Sequence, residues 1–385
     1  MTYRAWNTKT VDRAALKELT AAIAQQNTEE LENQSMDDGP WSEEKYRSVF
    51  AAQQKEAGLL AGILAARGIT DPAEALTLLA GEEELSDPML LTDMDKACAR
   101  ILRAIDEGET IVVFGDYDVD GVTATALLYQ HLKGMGASAK CMLPSREGDG
   151  YGLSRNAIQS IHDKGYRLIV TVDNGISAVA EADFAAELGI DLIITDHHLP
   201  PETLPKAVAV VDPRREDDTS RFKGLCGAGV AFKLCQALYK MRFPDEPLWD
   251  GNTEFVALGT VADIVPLWGE NRALVKHGLK KMETTENIGL KALIEKSRCP
   301  VKDITSENIG FILAPRLNAV GRLEHAQLAV ELLTAQDEAR AAEIAEALNE
   351  ENTLRQKISR EIFMDAEKML AQYEHIDTAI FVGKE

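Results

Sequence analysis

The chain has 385 residues, of which 45% are apolar and 27% are charged, and its formal net charge is −22. A chain of this length buries a sizeable core and more often forms two domains than one. The strong negative charge argues against non-specific binding of nucleic acid through bulk electrostatics, although a local basic groove stays compatible with it.

The five cysteines are odd in number and include no C-x-x-C pair. This usage predicts a reduced, cytoplasmic protein with neither a disulfide framework nor a structural zinc site. The N-terminus lacks the apolar segment of a signal peptide, and no stretch reaches the roughly 18 apolar residues of a membrane span. We therefore expect a soluble protein that does not interact with membranes.

Residues 1–90 show helical spacing of apolar residues, interrupted by acidic loops. The helical patterns are Val11–Gln26 and Glu43–Arg67, and Asp71-Pro72 then opens a short helix as an N-cap followed by a proline at N1. No chemically suggestive group of residues occurs here. We predict a helical region that serves packing or interaction.

Residues 91–268 alternate between strand and helix patterns, which predicts an α/β domain with a mostly parallel sheet and helices on both faces. The candidate strands are Thr110–Phe114, Ala139–Leu143, Leu168–Val172, Leu192–Thr195 and Ala207–Val211. The candidate helices are Val122–Met135, Arg155–Lys164, Ala178–Leu188 and Val230–Lys240.

Acidic residues and histidines follow three of these strands. They are Asp116, Asp118 and Asp120 after the first, Asp173 after the third, and Asp196, His197 and His198 after the fourth. The carboxyl ends of parallel strands meet at one edge of a sheet, where ligands bind in open α/β folds. Carboxylates so close together repel one another unless a cation neutralises them, and mixed carboxylate and imidazole ligands suit manganese or a transition metal. We predict a divalent metal site at this edge.

The letters Asp-x-Asp-x-Asp-Gly also begin the calcium-binding loop of an EF-hand. That loop requires an incoming helix and an acidic residue at position twelve. A strand pattern precedes Asp116, and position twelve is Leu127, which excludes the calcium loop. Asp120 is open to two interpretations, a metal ligand or the cap of a helix that begins at Val122, and we favour the cap because aspartate is favourable at helix N-termini.

Two later segments carry further candidate residues. Asp263 follows the apolar run Phe255–Ala262 and is either a functional acid or an ordinary N-cap or solvated residue. Arg316, Asn318 and Arg322 surround a proline and a glycine, so that both guanidinium groups can face one anion. Ion pairs on a helix surface are the alternative for the two arginines.

The rest of the chain has mostly helical patterns. Residues 269–335 are predicted to form a helical subdomain of the core, and residues 336–375 a long connector helix. Ile376–Val382 has the pattern of a strand, which predicts that residues 376–385 begin a further domain. On this interpretation the chain is a C-terminally truncated piece.

Five motifs in this order resemble the DHH phosphoesterase superfamily and, within it, the RecJ family of bacterial exonucleases. They are Gly115–Gly121, Val172–Gly175, Thr195–His198, Ala262–Pro266 and Arg316–Arg322. The resemblance extends from about residue 45 to the end of the chain and implies the DHH phosphoesterase fold. It also implies a manganese-dependent 5′→3′ exonuclease that hydrolyses single-stranded DNA in repair and recombination.

The resemblance also implies roles for individual residues. The expected metal ligands are Asp116, Asp118, Asp173, His197 and Asp263. Two Mn²⁺ ions are expected, with Mg²⁺ as the alternative, and Asp173 would bridge them. His198 completes the predicted catalytic set, either by acting on the scissile phosphate and the leaving group or by supporting the ligands.

Substrate contacts are expected from five residues. They are Arg146, Tyr151, Arg316, Asn318 and Arg322. The arginines would hold the DNA backbone and its 5′ end, and Tyr151 would stack on a base. The implied partners are single-stranded DNA, a single-strand-binding protein and a helicase.

An alternative function is a phosphodiesterase on short oligonucleotides or cyclic dinucleotides, which other members of the superfamily hydrolyse. RecJ proteins continue into a second domain and an OB-type module, both expected to be missing here. A catalytically silent scaffold is disfavoured because every expected ligand position is intact.

Overall fold

The computed structural model describes residues 12–37, 42–80, 85–144, 152–318 and 324–370. The chain divides into two compact units, Met1–Glu84 and Leu85–Glu385. Within the described residues, no helix has both the length and the apolar character needed to cross a bilayer.

In the part of the first unit that the structure describes, three helices surround a small core. They are α1 (Arg13–Asp37), α2 (Glu43–Ala66) and α3 (Pro72–Ala80). The predicted cap of α3 is present, because Asp71 Oδ1 accepts a hydrogen bond of 2.9 Å from the backbone N–H of Glu74. The core is formed by small and branched apolar side chains, among them Leu19, Ile23, Ala57 and Ala61.

Among its described residues, the second unit is built on a five-stranded sheet in which every neighbouring pair of strands is parallel. The strands are β1 (Thr110–Phe114), β2 (Ser138–Met142), β3 (Leu168–Val172), β4 (Asp191–Thr195) and β5 (Ala209–Val211). Their order across the sheet is β2-β1-β3-β4-β5. The chain reverses its direction of winding between β1 and β3, and ligands of open α/β sheets bind at such a switch point.

Both faces of the sheet are covered, because successive side chains of a strand point to opposite faces. In β1, Ile111 and Val113 belong to the core of one face, whereas Val112 and Phe114 belong to the core of the other. The first face packs against α4 (Met94–Asp106), α5 (Val119–Gly134) and α8 (Gly227–Arg242), and the second against α6 (Arg155–Asp163) and α7 (Val179–Glu187). The predicted fold class is confirmed.

The remaining helices continue the first face of the core. They are α9 (Thr253–Ala262), α10 (Glu270–Met282), α11 (Ile288–Lys296), α12 (Ser306–Asn308), α13 (Ala314–Leu317), α14 (Glu324–Leu333) and the long α15 (Glu338–Leu370). Ile309–Leu313, between α12 and α13, forms a turn of π-helix. The apolar run that ends at Asp263 is thus helix α9, and Asp263 is its C-cap.

His131, near the end of α5, makes the stability of this unit depend on pH. Its ring packs edge-on against Trp249 at 4.5 Å between centroids, its Nε2 is buried without a hydrogen-bond partner among the described residues, and burial lowers its pKa to about 4. In the unfolded chain the pKa of this histidine is near 6.5. Between pH 6.5 and 4 the unfolded state therefore binds a proton at His131 that the native state does not bind. Native stability from this group therefore falls as the pH drops through that window.

We predict that His131→Phe reduces the loss of stability on acidification. When the pH is lowered from 7.5 to 5.5, protonation of this histidine alone should reduce the unfolding free energy of the wild type by about 1 kcal/mol. The variant should not show this part of the decrease. Denaturant unfolding at both pH values measures the difference, which is insensitive to any constant effect of the larger ring. An equal loss in both proteins would contradict the assignment.

Candidate metal centre

The segment after β1 turns sharply before α5 begins. Asp118 is the N-cap of α5, and its Oδ1 accepts a hydrogen bond of 3.0 Å from the backbone N–H of Gly121. A Cβ atom at Gly121 would lie 2.6 Å from the carbonyl oxygen of Asp116. Glycine at this position therefore lets the chain fold back on itself and hold Asp116 and Asp118 at the end of the strand.

Asp120 does not cap α5, and that expectation is wrong. Its side chain is buried and points away from its own helix toward the start of α8, where it accepts hydrogen bonds from the backbone N–H groups of Gly227 (2.6 Å) and Ala228 (2.9 Å). A carboxylate is favourable there because the first N–H groups of a helix have no partner within the helix. Asp120 thus fixes the start of α8 to the start of α5.

Asp173 follows β3 directly and has a left-handed backbone conformation with φ of 60°. It is buried, and helix α8 comes so close that a Cβ at Gly227 would lie 2.4 Å from the Cβ of Asp173. The neighbouring Asn174 donates hydrogen bonds from Nδ2 to the carbonyl oxygens of Val172 (2.9 Å) and Phe114 (3.2 Å). Asn174 therefore ties the ends of β3 and β1 together beside the carboxylates.

Asp196 organises the segment after β4. Its Oδ1 accepts hydrogen bonds from the backbone N–H of His197 and from Nδ1 of His198 (2.8 Å), and its Oδ2 accepts one from the N–H of Ile176. These bonds set the turn and the orientation of the His198 ring. Asp196 therefore positions both histidines.

The functional side chains meet around His197. Its Nε2 lies 3.0 Å from Oδ1 of Asp173, 3.7 Å from Oδ2 of Asp120 and 3.7 Å from Oδ2 of Asp263. Two overlapping sets of ligand atoms are close enough to share a cation. They are Asp173, His197 and His198, and Asp120, His197 and Asp263.

The residues of this centre fit a bound cation. Both ring nitrogens of His197 and Oδ1 of Asp173 are buried and lack a hydrogen bond to any described residue. The 3.0 Å separation between Nε2 and Oδ1 does not have hydrogen-bond geometry, so it does not satisfy either atom. Buried polar atoms without partners are costly in a folded protein, and coordination to a metal would satisfy them.

The electrostatics of the cluster lead to the same conclusion. Burial, followed by repulsion from Asp120, raises the pKa of Asp173 well above its usual range. Burial and repulsion from Asp118 raise the pKa values of Asp116 and Asp263 to about 6, and burial lowers that of His197 to about 4. The carboxylates are thus ionised at a cost, which a divalent cation would offset.

Two cavities with different lining residues border the cluster. The His198 cavity has a volume of about 630 Å³ and is lined by Asp116, Asp173, Asp196 and His198, together with the start of α6. The Asp263 cavity has a volume of about 840 Å³ and is lined by Asp118, Asp120 and Asp263, together with residues of the helical subdomain.

The predicted substrate residues have different locations. Asn318 lines the Asp263 cavity. Arg316 does not, because its guanidinium bonds to Asn349 of α15 and to the carbonyl oxygen of Ile312 and lines a separate cavity beside α11. Arg146, Tyr151 and Arg322 lie outside the described residues.

The sequence did not predict the surroundings of three acids in this region. Asp120 and Asp196 stand within the recognised motifs, and their positioning roles depend on partners that the motifs do not reveal. Asp212 follows β5, where burial raises its pKa to about 7 and its Oδ2 has no partner among the described residues. The position of Asp212 directly after a strand is the sequence signal that could have identified it as a candidate site residue.

Comparison with known proteins identifies the family. Residues 110–260 match the DHH family, N-terminal domain. The single-stranded-DNA-specific exonuclease RecJ of Bacillus subtilis is 43% identical over 328 residues, which are 85% of this chain and 41% of the relative. RecJ of Escherichia coli is 37% identical over 320 residues, 80% of this chain and 55% of the relative. The chain spans about half the length of the curated relatives it matches.

Solved structures agree in fold. The crystal structure of an exonuclease RecJ bound to manganese is 34% identical, with a TM-score of 0.66 over 73% of this chain and 71% of that one. RecJ of Thermus thermophilus in complex with Mn²⁺ is 32% identical, with a TM-score of 0.69 over 82% of this chain and 44% of that one. Similarity of sequence and fold over most of its length shows that this chain belongs to the RecJ family of DHH proteins.

Proposed function

We propose that this chain is the catalytic part of a divalent-metal-dependent exonuclease that degrades single-stranded DNA from its 5′ end in DNA repair and recombination. The observation that carries the proposal is the convergence of His197 with carboxylates from three separate segments at the switch point of the sheet. The names of its relatives, single-stranded-DNA-specific exonucleases, support the substrate class.

The metal would be held by His197 together with Asp116, Asp118, Asp173 and Asp263, with Asp173 between two ions. Bound divalent ions activate water and neutralise charge on the phosphate oxygens during phosphodiester hydrolysis. Structures of RecJ proteins are known with Mn²⁺ and with Mg²⁺. We propose a preference for Mn²⁺ because the site offers an imidazole nitrogen, whereas Mg²⁺ favours oxygen ligands and its own waters.

The protein's own groups would orient the reactants. His198 is held through Nδ1 by Asp196, which leaves Nε2 to donate to a phosphate oxygen or to the leaving oxygen. The oxygen of a water molecule would bond to phosphorus while the bond from phosphorus to the 3′ oxygen breaks. The water would lose one proton to solvent, and the departing 3′ oxygen would take up one proton from Nε2 of His198 or from solvent. The products are a mononucleotide and a strand shortened by one residue.

A digestion experiment with this chain tests the proposal. The substrates are a 5′-phosphorylated single strand with a 3′ label, the corresponding blunt duplex, and a dinucleotide. We expect the labelled strand to shorten stepwise from its 5′ end with Mn²⁺, more slowly with Mg²⁺, and not at all with EDTA, while the duplex stays intact. Cleavage of the dinucleotide alone would favour the short-substrate phosphodiesterase, and cleavage of none of the three would contradict both functions.

A further inference from the structure

One wall of the Asp263 cavity is apolar and exposed, unlike the carboxylate cluster beside it. Phe311 and Ile264 have 80% and 88% of their surface accessible, and Leu267 is also exposed. All three line the same cavity as Asp118 and Asp263. Large apolar side chains that border a catalytic cluster and remain in contact with water suggest a ligand that covers them.

Ile264 adopts a backbone conformation that isoleucine rarely takes. Its φ is 60°, and it follows the C-cap of α9, where glycine is the common residue. A β-branched residue there is strained, and an exposed side chain gains no packing in return. The fold alone would favour glycine at this position, so the isoleucine side chain has another role.

Phe311 lies in the middle of the π-helical turn between α12 and α13. Its neighbours Ile309 and Leu313 are buried, whereas its own ring projects into the cavity region and is exposed. Turns of π-helix are rare and occur frequently at functional sites. The local backbone therefore presents one aromatic ring on the side of the catalytic cluster.

We propose that this wall, formed by Phe311 and Ile264, stacks on an unpaired nucleobase of the strand whose phosphate lies at the metal centre. The inference rests on the proposed function and deepens it by assigning a base subsite. The acids of the cavity disfavour a phosphate on this wall, whereas a neutral, planar base gains from stacking on an aromatic ring. Asn318 and Arg355 line the cavity as well and provide polar groups near the base.

Fluorescence of 2-aminopurine tests the stacking directly. Single strands carry this base at one position from the 5′ end at a time. They are made with non-hydrolysable linkages and bound to the unsubstituted protein with Mn²⁺, so that the metal centre is filled and cleavage does not interfere. We expect quenching at one or two positions, and we expect Phe311→Ala to abolish it. The control is Phe243→Ala, which removes an exposed aromatic ring beyond the far end of α8.

Affinity measurements on normal and abasic strands of equal length separate base contacts from backbone contacts. Phe311→Ala should raise the Kd for the normal strand roughly 5- to 100-fold, with little change for the abasic strand. If Phe311→Ala changed the Kd values for both strands equally, or changed neither, the base subsite would be overturned. A protein partner would then be the ligand that covers the apolar wall. Failure of the unsubstituted protein to bind or cleave any single strand would instead reject the proposed function, and the subsite with it.

Ile264→Gly provides a second, independent measurement. Relief of backbone strain should raise the melting temperature by about 1–2 °C, while the Kd for the normal strand rises several-fold. A stabilised variant with weakened binding cannot be explained by damage to the fold. Unchanged affinity would remove Ile264 from the subsite.

Discussion

Asp173→Asn should lower kcat/KM on single-stranded DNA by on the order of 10³-fold or more while leaving the fold intact, because it removes a central charge of a metal centre. Asparagine is the suitable replacement. It retains the size of the side chain and tolerates the left-handed φ of 60° at this position, where alanine would add strain. The change therefore tests the negative charge and not the local backbone.

The same variant should respond differently to metal and to its removal. In EDTA its melting temperature should equal or exceed that of the wild type. Burial and repulsion from Asp120 and Asp118 make the charged carboxylate of Asp173 unfavourable when no cation is bound, and the neutral amide avoids both effects. Mn²⁺ at 100 times its Kd should stabilise the wild type by about 2.7 kcal/mol. The side-chain amide of the variant offers a weaker, neutral ligand, so most of this stabilisation should be lost.

Asp303→Asn is the matched control, since Asp303 also has a left-handed φ, of 55°, is exposed, and lines neither of the two cavities beside the cluster. It should retain wild-type activity and the wild-type response to Mn²⁺. Full manganese-dependent activity of Asp173→Asn would exclude the proposed bridging role. If Asp173→Asn lost much stability in EDTA, the Asp173 carboxylate would be shown to support the fold instead.

The sequence was sufficient to predict the sheet and the convergence at its edge, because both depend on local patterns. Continuous runs of branched apolar residues mark buried strands such as β1 and β3, and the predicted bounds of these two are confirmed. The alternation of strands with helices implies parallel pairing. Parallel pairing then brings Asp118, Asp173 and His197 to one edge without further information.

Contacts between distant segments could not be predicted in the same way. Asp120 bonds to residues 107 and 108 positions away, so the local rule for helix caps selected the wrong helix. The direction of the Arg316 guanidinium depends on Asn349 of α15, which nothing in the arginine motif indicates. The exposed position of Phe311 depends on a π-helical turn, for which apolar periodicity gives no signal.

Gly227→Ala should cost about 10²-fold or more in kcat/KM through a single added methyl group that contacts no substrate. The new Cβ would lie 2.4 Å from Cβ and 2.7 Å from Cγ of Asp173, so either the aspartate or the start of α8 must move. Such a movement also strains the bond from the Gly227 N–H to Asp120. Displacements of about 1 Å at a catalytic group are sufficient for losses of this size.

Stability separates this displacement from general damage to the fold. Alanine in a helix gains about 0.5–1 kcal/mol over glycine, which offsets part of the strain, so the melting temperature of Gly227→Ala in EDTA should change by only a few degrees. The stabilisation by Mn²⁺ should shrink nonetheless, because Asp173 is displaced. Gly134→Ala is the control, since a Cβ at the end of α5 meets no atom of the described residues within 4 Å. If Gly227→Ala kept both full activity and the full response to Mn²⁺, the close approach of α8 to Asp173 would not be what positions the metal centre.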